Sequence, residues 1–272
     1  MLSSHGAPVK SVVYSKEHCE FSSTITKAWT DNLLALLVSA SWDSTFRFHD
    51  LKEPSREPTT IKLPAKPHSL SITASKLVVA MASRLIHIYE LQAIALVASQ
   101  ANGAAELEPW QKRESALKFM TRAVACMPND DGYATSSIEG RVAVDWFDGS
   151  IESQARKYAF KCHRQPDPEG DGTDIVYPVN ALAFNPIHGT FASGGGDGVV
   201  ALWDAVAKRR IRQYQKYPTS VAAVGFSCDG KYLAVGVCPG FENGQEDYNG
   251  EGATHVYIRE LGETEAKGKG AK

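Results

Sequence analysis

Long apolar runs are absent from these 272 residues, so no segment is expected to span a bilayer. The opening MLSSHGAPVK lacks the pattern of a secretory leader. Charge of one sign is missing as well. With 29 basic against 31 acidic side chains the formal balance is −2, so bulk charge points neither to nucleic acid nor to an anionic membrane. Cysteine is scarce: Cys19, Cys126, Cys162, Cys228 and Cys238 make an odd set of 5 with no Cys-x-x-Cys pair. That argues for reduced thiols in a cytosolic or nuclear setting and against a disulfide or zinc framework. Catalytic constellations are missing too. The 8 histidines are scattered, and His163 and His188 lie near turns without a Glu-x-x-His or cysteine spacing. The glycines at 194–196 and 198 join two strands and lack the Lys-Ser/Thr of a phosphate loop. No enzymatic activity, cofactor or metal is expected.

What the chain does have is repetition. Val179 to Phe184 is a short apolar run broken by Asn185-Pro186, and Thr190 to Ser193 begins a second strand. The glycine-rich turn through Asp197-Gly198 then feeds a third, Val199 to Trp203, rich in β-branched and aromatic residues. An Asp-Gly pair flanked by apolar runs marks a hairpin, because its turn needs positive φ. Third strands with a similar stop recur at Asp50, Leu91, Asp148, Asp204 and Leu261, at intervals of 41, 57, 56 and 57 residues. The shortest is close to the roughly 40–45 residues of one propeller blade, and the longer ones leave room for loops. Trp203-Asp204 is the dipeptide that closes the third strand of a WD40 blade. The fold class is therefore all-β, a WD40 β-propeller with five recognisable blades over residues 1–261.

The blades cover roughly 5–50, 61–91, 118–147, 177–204 and 221–259. Residues 17–32 have no periodicity and read as an insertion. Residues 92–114 read as a loop with a helical turn, and 149–176 as a long polar connection. A glycine- and acid-rich loop occupies 239–252, and the polar tail 262–272 is expected to be disordered.

Asp43, Glu139 and Asp197 stand at the same place in three repeats, just before the third strand. Their recurrence favours a structural role, each carboxylate accepting hydrogen bonds in the tight turn. Two basic clusters flank one repeat: Arg156, Lys157, Lys161, His163 and Arg164, then Lys208, Arg209, Arg210 and Arg212. Charge runs are usually solvated loops. A propeller would nevertheless bring these two onto neighbouring surface, and guanidinium forks suit carboxylates and phosphates. Trp42 sits at a turn, where an indole is either core filler or an exposed anchor for a peptide.

The strings SSIEGRVAV at 136–144, KYAFKCHR at 157–164, YPVNALAF at 177–184, GGGDGVVALWD at 194–204 and RESALKFMTRAV at 113–124 resemble the propeller member of the spindle-checkpoint Bub (budding uninhibited by benzimidazole) family. The nuclear-pore messenger-RNA export WD-repeat proteins of the Rae/Gle type share SSIEGRVA and FKCHR, whereas RQYQKYPTS and RESALK favour the checkpoint family. The resemblance runs from about residue 5 to residue 260. It implies a seven-bladed propeller whose two N-terminal blades are missing here. It further implies binding of the GLEBS motif of checkpoint kinases and pseudokinases, docking on phosphorylated MELT repeats of the kinetochore scaffold, and assembly into the mitotic checkpoint complex. The implied location is the nucleus and kinetochore, with a cytoplasmic pool and no direct contact with nucleic acid or membrane. By the same resemblance Trp42 lies under the GLEBS segment and Arg164 pairs with its glutamates. Arg209, between Lys208 and Arg210, meets the phosphothreonine.

Overall fold

The computed structural model describes residues 4–15, 36–51, 55–100, 103–168, 170, 172–242, 252 and 254–268. The insertion read at 17–32 lies outside the described residues. The chain divides into two compact units, Met1–Glu114 and Ser115–Lys272.

The first unit holds two sheets. β1 (Val9–Ser15), β2 (Leu36–Ser41), β3 (Thr45–Asp50) and β4 (Thr59–Lys62) run antiparallel in chain order, and a two-residue strand, Ala104–Ala105, adds itself parallel to β4. β5 (Pro67–Ile72), β6 (Lys76–Met81) and β7 (Leu85–Glu90) form the second sheet, closed by an outer strand at Gln111–Glu114. The short strand is β8 (Ala104–Ala105) and the outer one β9 (Gln111–Glu114). One core lies between the sheets, where Phe46 meets Phe48 and Tyr89 edge-on at 4.8 and 5.2 Å.

The second unit repeats the theme. β10 (Thr121–Cys126), β11 (Gly132–Ser137), β12 (Arg141–Trp146) and β13 (Tyr158–Lys161) form one sheet. A small hairpin follows, β14 (Arg164–Pro166) with β15 (Asp174–Val176). β16 (Val179–Phe184), β17 (Phe191–Gly195), β18 (Val200–Asp204) and β19 (Arg209–Gln213) form the next sheet. β20 (Val221–Phe226), β21 (Tyr232–Val237) and β22 (His255–Glu260) form the last. Two apolar clusters, one around Phe191 and Trp203 and one around Leu202 and Leu233, cement neighbouring sheets.

Every one of these five sheets has the same flaw in its first strand. Register slips between Val9 and Ser11, Pro67 and Ser69, Thr121 and Val124, Val179 and Ala181, and Val221 and Ala223. A bulge repeated at one place bends each strand alike and marks one structural unit used five times. Two bulge residues also touch, Arg122 Nη2 donating to Asn180 Oδ1 at 3.2 Å.

Three expectations change. Residues 92–114 are more than a loop: α1 (Leu91–Gln100) forms because Ile94 and Ala98 share a buried face, and β9 follows. Residues 149–176 contain a helical turn at Ile151–Ala155, β13 and the β14–β15 hairpin. The tail is ordered over 262–268: Ala266 is buried, and its carbonyl accepts from Thr190 Oγ1 at 2.6 Å. A short polar segment can be held when a few of its groups find partners, which composition does not reveal.

Candidate functional site

The turn acids organise their surroundings. Asp197 Oδ1 accepts from the backbone N–H of Val199 at 3.1 Å and faces His163 Nδ1 at 2.9 Å. His163 Nε2 meets Ser193 Oγ at 2.8 Å, and Ser193 Oγ accepts from Trp203 Nε1 at 2.8 Å. The indole can only donate and the carboxylate only accept, so a neutral imidazole closes the chain in one direction: indole to hydroxyl, hydroxyl to imidazole, imidazole to carboxylate. The His163 and Asp197 side chains are 1% and 4% exposed. Gly195 is required beside them, because an added Cβ would collide with His163 Nδ1 and Asp197 Oδ1.

The first unit carries the same arrangement with one substitution. Asp43 accepts from Thr45 N at 3.0 Å, Thr45 Oγ1 at 2.6 Å and Gly6 N at 3.0 Å. His5 bridges Asp43 at 3.1 Å and Ser39 at 2.9 Å, and His49 stands 3.2 Å from Ser39 Oγ, where the other network has its tryptophan. Glu139 departs from the pattern. Its longer side chain turns to Arg141 Nε at 3.4 Å instead of accepting in its own turn.

Burial works to raise the Asp43 carboxyl, but hydrogen bonds from Thr45, Gly6 and His5 outweigh it and hold it below its ordinary 3.8. A lowered folded value means Asp43 adds stability above the ordinary range and loses it as pH falls through the folded value. Between roughly pH 5 and pH 2, the protection of β2 and β3 amides relative to their intrinsic exchange is therefore expected to fall in the parent chain, with a shallower acid limb in Asp43→Asn. Parallel acid limbs would show that Asp43 contributes no such linkage.

Above the Asp197 network lies a groove of about 220 Å³, lined by Lys161, Arg164, Trp203, Arg210 and Gln213. A second hollow of about 210 Å³ adjoins it through the shared Lys161, Trp203 and Arg210, and adds Lys208, Arg209 and Tyr158. The two basic clusters of the sequence thus meet on one surface, joined by Arg210. Arg164 is held from below, its Nη2 donating to the Glu139 carbonyl at 3.0 Å, while its buried Nε has no hydrogen-bond partner among the described residues. Arg210 is steadied by Gln213 at 2.7 Å. Lys208 takes a left-handed φ of 54° that sets its ammonium 5.0 Å from the Tyr158 ring.

Part of the first cluster turns elsewhere. Arg156 stacks 4.9 Å from the Trp146 ring, Lys157 pairs with Asp145 at 2.9 Å, and His163 is spent on the buried network. Trp42 belongs to the first unit, where it is 39% exposed on the β2–β3 turn and stands apart from the core. The indole is therefore not core filler. Trp203 and Gln213, groove-lining residues that charge alone does not flag, lie on the third and fourth strands of one sheet. Among the described residues no three His, Cys, Asp or Glu side chains converge as a metal would require.

Blade-like antiparallel sheets with a common bulge and an Asp-His-Ser-Trp network define a WD40 β-propeller protein. The WD domain, G-beta repeat family matches residues 173–204. The crystal structure of the Cps50 (Swd1) β-propeller domain of Myceliophteria thermophila superposes with a TM-score of 0.56 at 14% identity, covering 74% of this chain and 59% of that one. Mitotic checkpoint protein BUB3.1 of Arabidopsis thaliana is 44% identical over 237 residues, 86% of this chain and 64% of its own length. Spindle assembly checkpoint protein bub3 of Schizosaccharomyces pombe is 35% identical over 251 residues, 90% of this chain and 68% of its own length. Protein RAE1 of Arabidopsis thaliana is 34% identical over 211 residues, 77% of this chain and 54% of that protein. The chain belongs to the Bub3 family of mitotic checkpoint WD-repeat proteins, and spans about two thirds of the length of these checkpoint relatives.

Proposed function

We propose that this chain is a non-enzymatic scaffold of the spindle assembly checkpoint, working at the nucleus and kinetochore with a cytoplasmic pool. It binds the GLEBS motifs of checkpoint kinases and pseudokinases, with Arg164 the contact in the second unit and Trp42 the candidate anchor in the first, holds phosphorylated MELT repeats through Lys208, Arg209 and Arg210, and enters the mitotic checkpoint complex. One observation carries the reading: Arg164 and Arg210 line the same groove, with Lys161 beside them and Arg209 in the adjoining hollow. The only acid among the groove residues, Asp197, is already committed to His163 and Val199. Asp204, the acid lining the adjoining hollow, accepts from the Val206 and Ala207 N–H groups, so the surface keeps an excess of cations, and a carboxylate placed there takes paired hydrogen bonds from a guanidinium. A phosphothreonine, near −2 in charge, suits the Lys208–Arg210 rim for the same reason.

Arg164→Glu is expected to weaken a synthetic GLEBS peptide about thirtyfold by fluorescence anisotropy, roughly 2 kcal/mol. Arg164→Lys, which keeps the charge but loses the fork, should fall between. Unchanged affinity in Arg164→Glu would remove the groove from the mechanism. Messenger-RNA export at the nuclear pore is the second reading, supported by the 34% identity to RAE1 against 44% to BUB3.1. Stronger capture of a nucleoporin GLEBS peptide than of a checkpoint-kinase one would favour it.

A further inference from the structure

β19 is basic beyond the groove already described. Arg212, two residues past Arg210, lines a larger cavity of about 540 Å³ together with Tyr214, Lys216, Tyr217, Tyr257 and Arg259. Arg259 lies 4.4 Å and Arg212 5.7 Å from the Tyr214 ring. Tyr217 and Tyr257 face one another at 5.0 Å with a 50° tilt, and Val256 and Ile258 on the same strand are 70% and 65% exposed. The cavity thus pairs a cationic wall with an aromatic one.

The chain itself shows what this wall accepts. Glu265, from the tail, sets Oε1 at 3.4 Å from Arg212 Nη1 and 3.5 Å from Arg259 Nε, and accepts from the Tyr214 hydroxyl at 2.8 Å. A peptide carboxylate is therefore already seated between the two guanidinium groups. Burial works to raise the Glu265 carboxyl, yet the Tyr214 and Gly262 hydrogen bonds and both arginines bring it below its ordinary value. Glu265 answers only part of the charge: Lys216 is exposed, and no ion pair links it to any described residue.

We infer that this cavity, which shares Gln213 with the Arg164 groove, is a second peptide site for an extended carboxylate-rich segment bearing an aromatic side chain. Its acidic residues extend the line begun by Glu265 toward Arg212 and Lys216, and its ring packs on Tyr217 and Tyr257. β19 then serves two ligands, presenting Arg210 to one cavity and Arg212 to the other. A carboxylate peptide is favoured over a single-stranded nucleic acid, which would also suit tyrosines and arginines, because the seated group is a glutamate.

Fluorescence anisotropy at low salt tests this on the full chain, with a fluorescein-labelled peptide of six glutamates around one tyrosine as probe. Lys216→Glu, a surface change that leaves the fold intact by circular dichroism, is expected to weaken the probe about tenfold. Tyr257→Ala should weaken it severalfold. Glu265→Ala, which frees both arginines, should tighten it severalfold, while Arg164→Glu leaves it unchanged. Loss through Arg164→Glu alone would assign the probe to the first groove and overturn this site without touching the first. Equal affinity in the parent chain and Lys216→Glu would overturn it, as would tighter binding of a uridine decamer than of the peptide.

Discussion

Asp197→Ala is expected to destabilise the 115–272 unit by about 3 kcal/mol, read as lost amide protection across β17 and β18 in hydrogen exchange. The substitution leaves the Val199 N–H and His163 Nδ1 without their acceptor, and both residues are buried. Each buried donor stranded in this way costs roughly 1–3 kcal/mol. The loss also spreads along the chain of donors, since His163 orients Ser193 and Ser193 receives the Trp203 indole. Asp197→Asn keeps one carbonyl oxygen toward both donors, so it should cost much less and separate hydrogen bonding from charge. Coupling confirms the network: Asp197→Ala and Trp203→Phe together should cost less than their separate effects summed. Asp43→Ala, the equivalent change in the first unit, should cost less, because its carboxylate is 17% exposed and water can replace part of what is lost. Equal exchange rates in β17 and β18 with and without Asp197 would reduce it to an ordinary turn residue.

The contrast between these aspartates shows what the sequence made legible. Inner strands could be read because their apolar residues alternate or run together: Val179–Phe184, Lys76–Met81, Leu85–Glu90 and Tyr232–Val237 fall where their apolar pattern places them. Fourth strands could not. β9 is Gln-Lys-Arg-Glu and β19 is Arg-Arg-Ile-Arg-Gln, outer strands whose side chains largely face solvent, so their composition looks like loop. Half of each polar network was local and visible, since Ser39 and Asp43 share the spacing of Ser193 and Asp197. The histidines were hidden by distance, His5 standing 34 residues before Ser39 and His163 standing 30 before Ser193. The groove behaved similarly. Two basic clusters announced it, but charge alone could not show that Arg156 and Lys157 turn to Trp146 and Asp145, nor that Arg164 rests on a backbone carbonyl.

That carbonyl makes Gly140→Val the second change of large expected effect, again about 3 kcal/mol. Gly140 has a φ of 62°, where a β-branched residue is strained by roughly 1–3 kcal/mol. Its Cβ would also stand 2.7 Å from the Cys162 carbonyl, 3.0 Å from Val176 Cγ1 and 3.1 Å from the Tyr177 carbonyl, so backbone on two sides must move. Such forced shifts cost roughly another 1–3 kcal/mol. Asparagine tolerates the left-handed region but carries the same Cβ, so Gly140→Asn separates the causes. Near-parent stability in Gly140→Asn would assign the cost to φ; a loss close to that of valine would assign it to the collision. Either way the movement reaches the site. The Gly140 carbonyl accepts from Cys162 N at 2.9 Å, and the preceding Glu139 carbonyl is what Arg164 leans on. Gly140→Val should therefore weaken a GLEBS peptide severalfold at temperatures where the unit is still folded, although no groove-lining side chain has changed. Parent-like binding in that folded variant would mean that Arg164 keeps its aim without the Glu139 carbonyl, and that its other groove neighbours suffice to hold it.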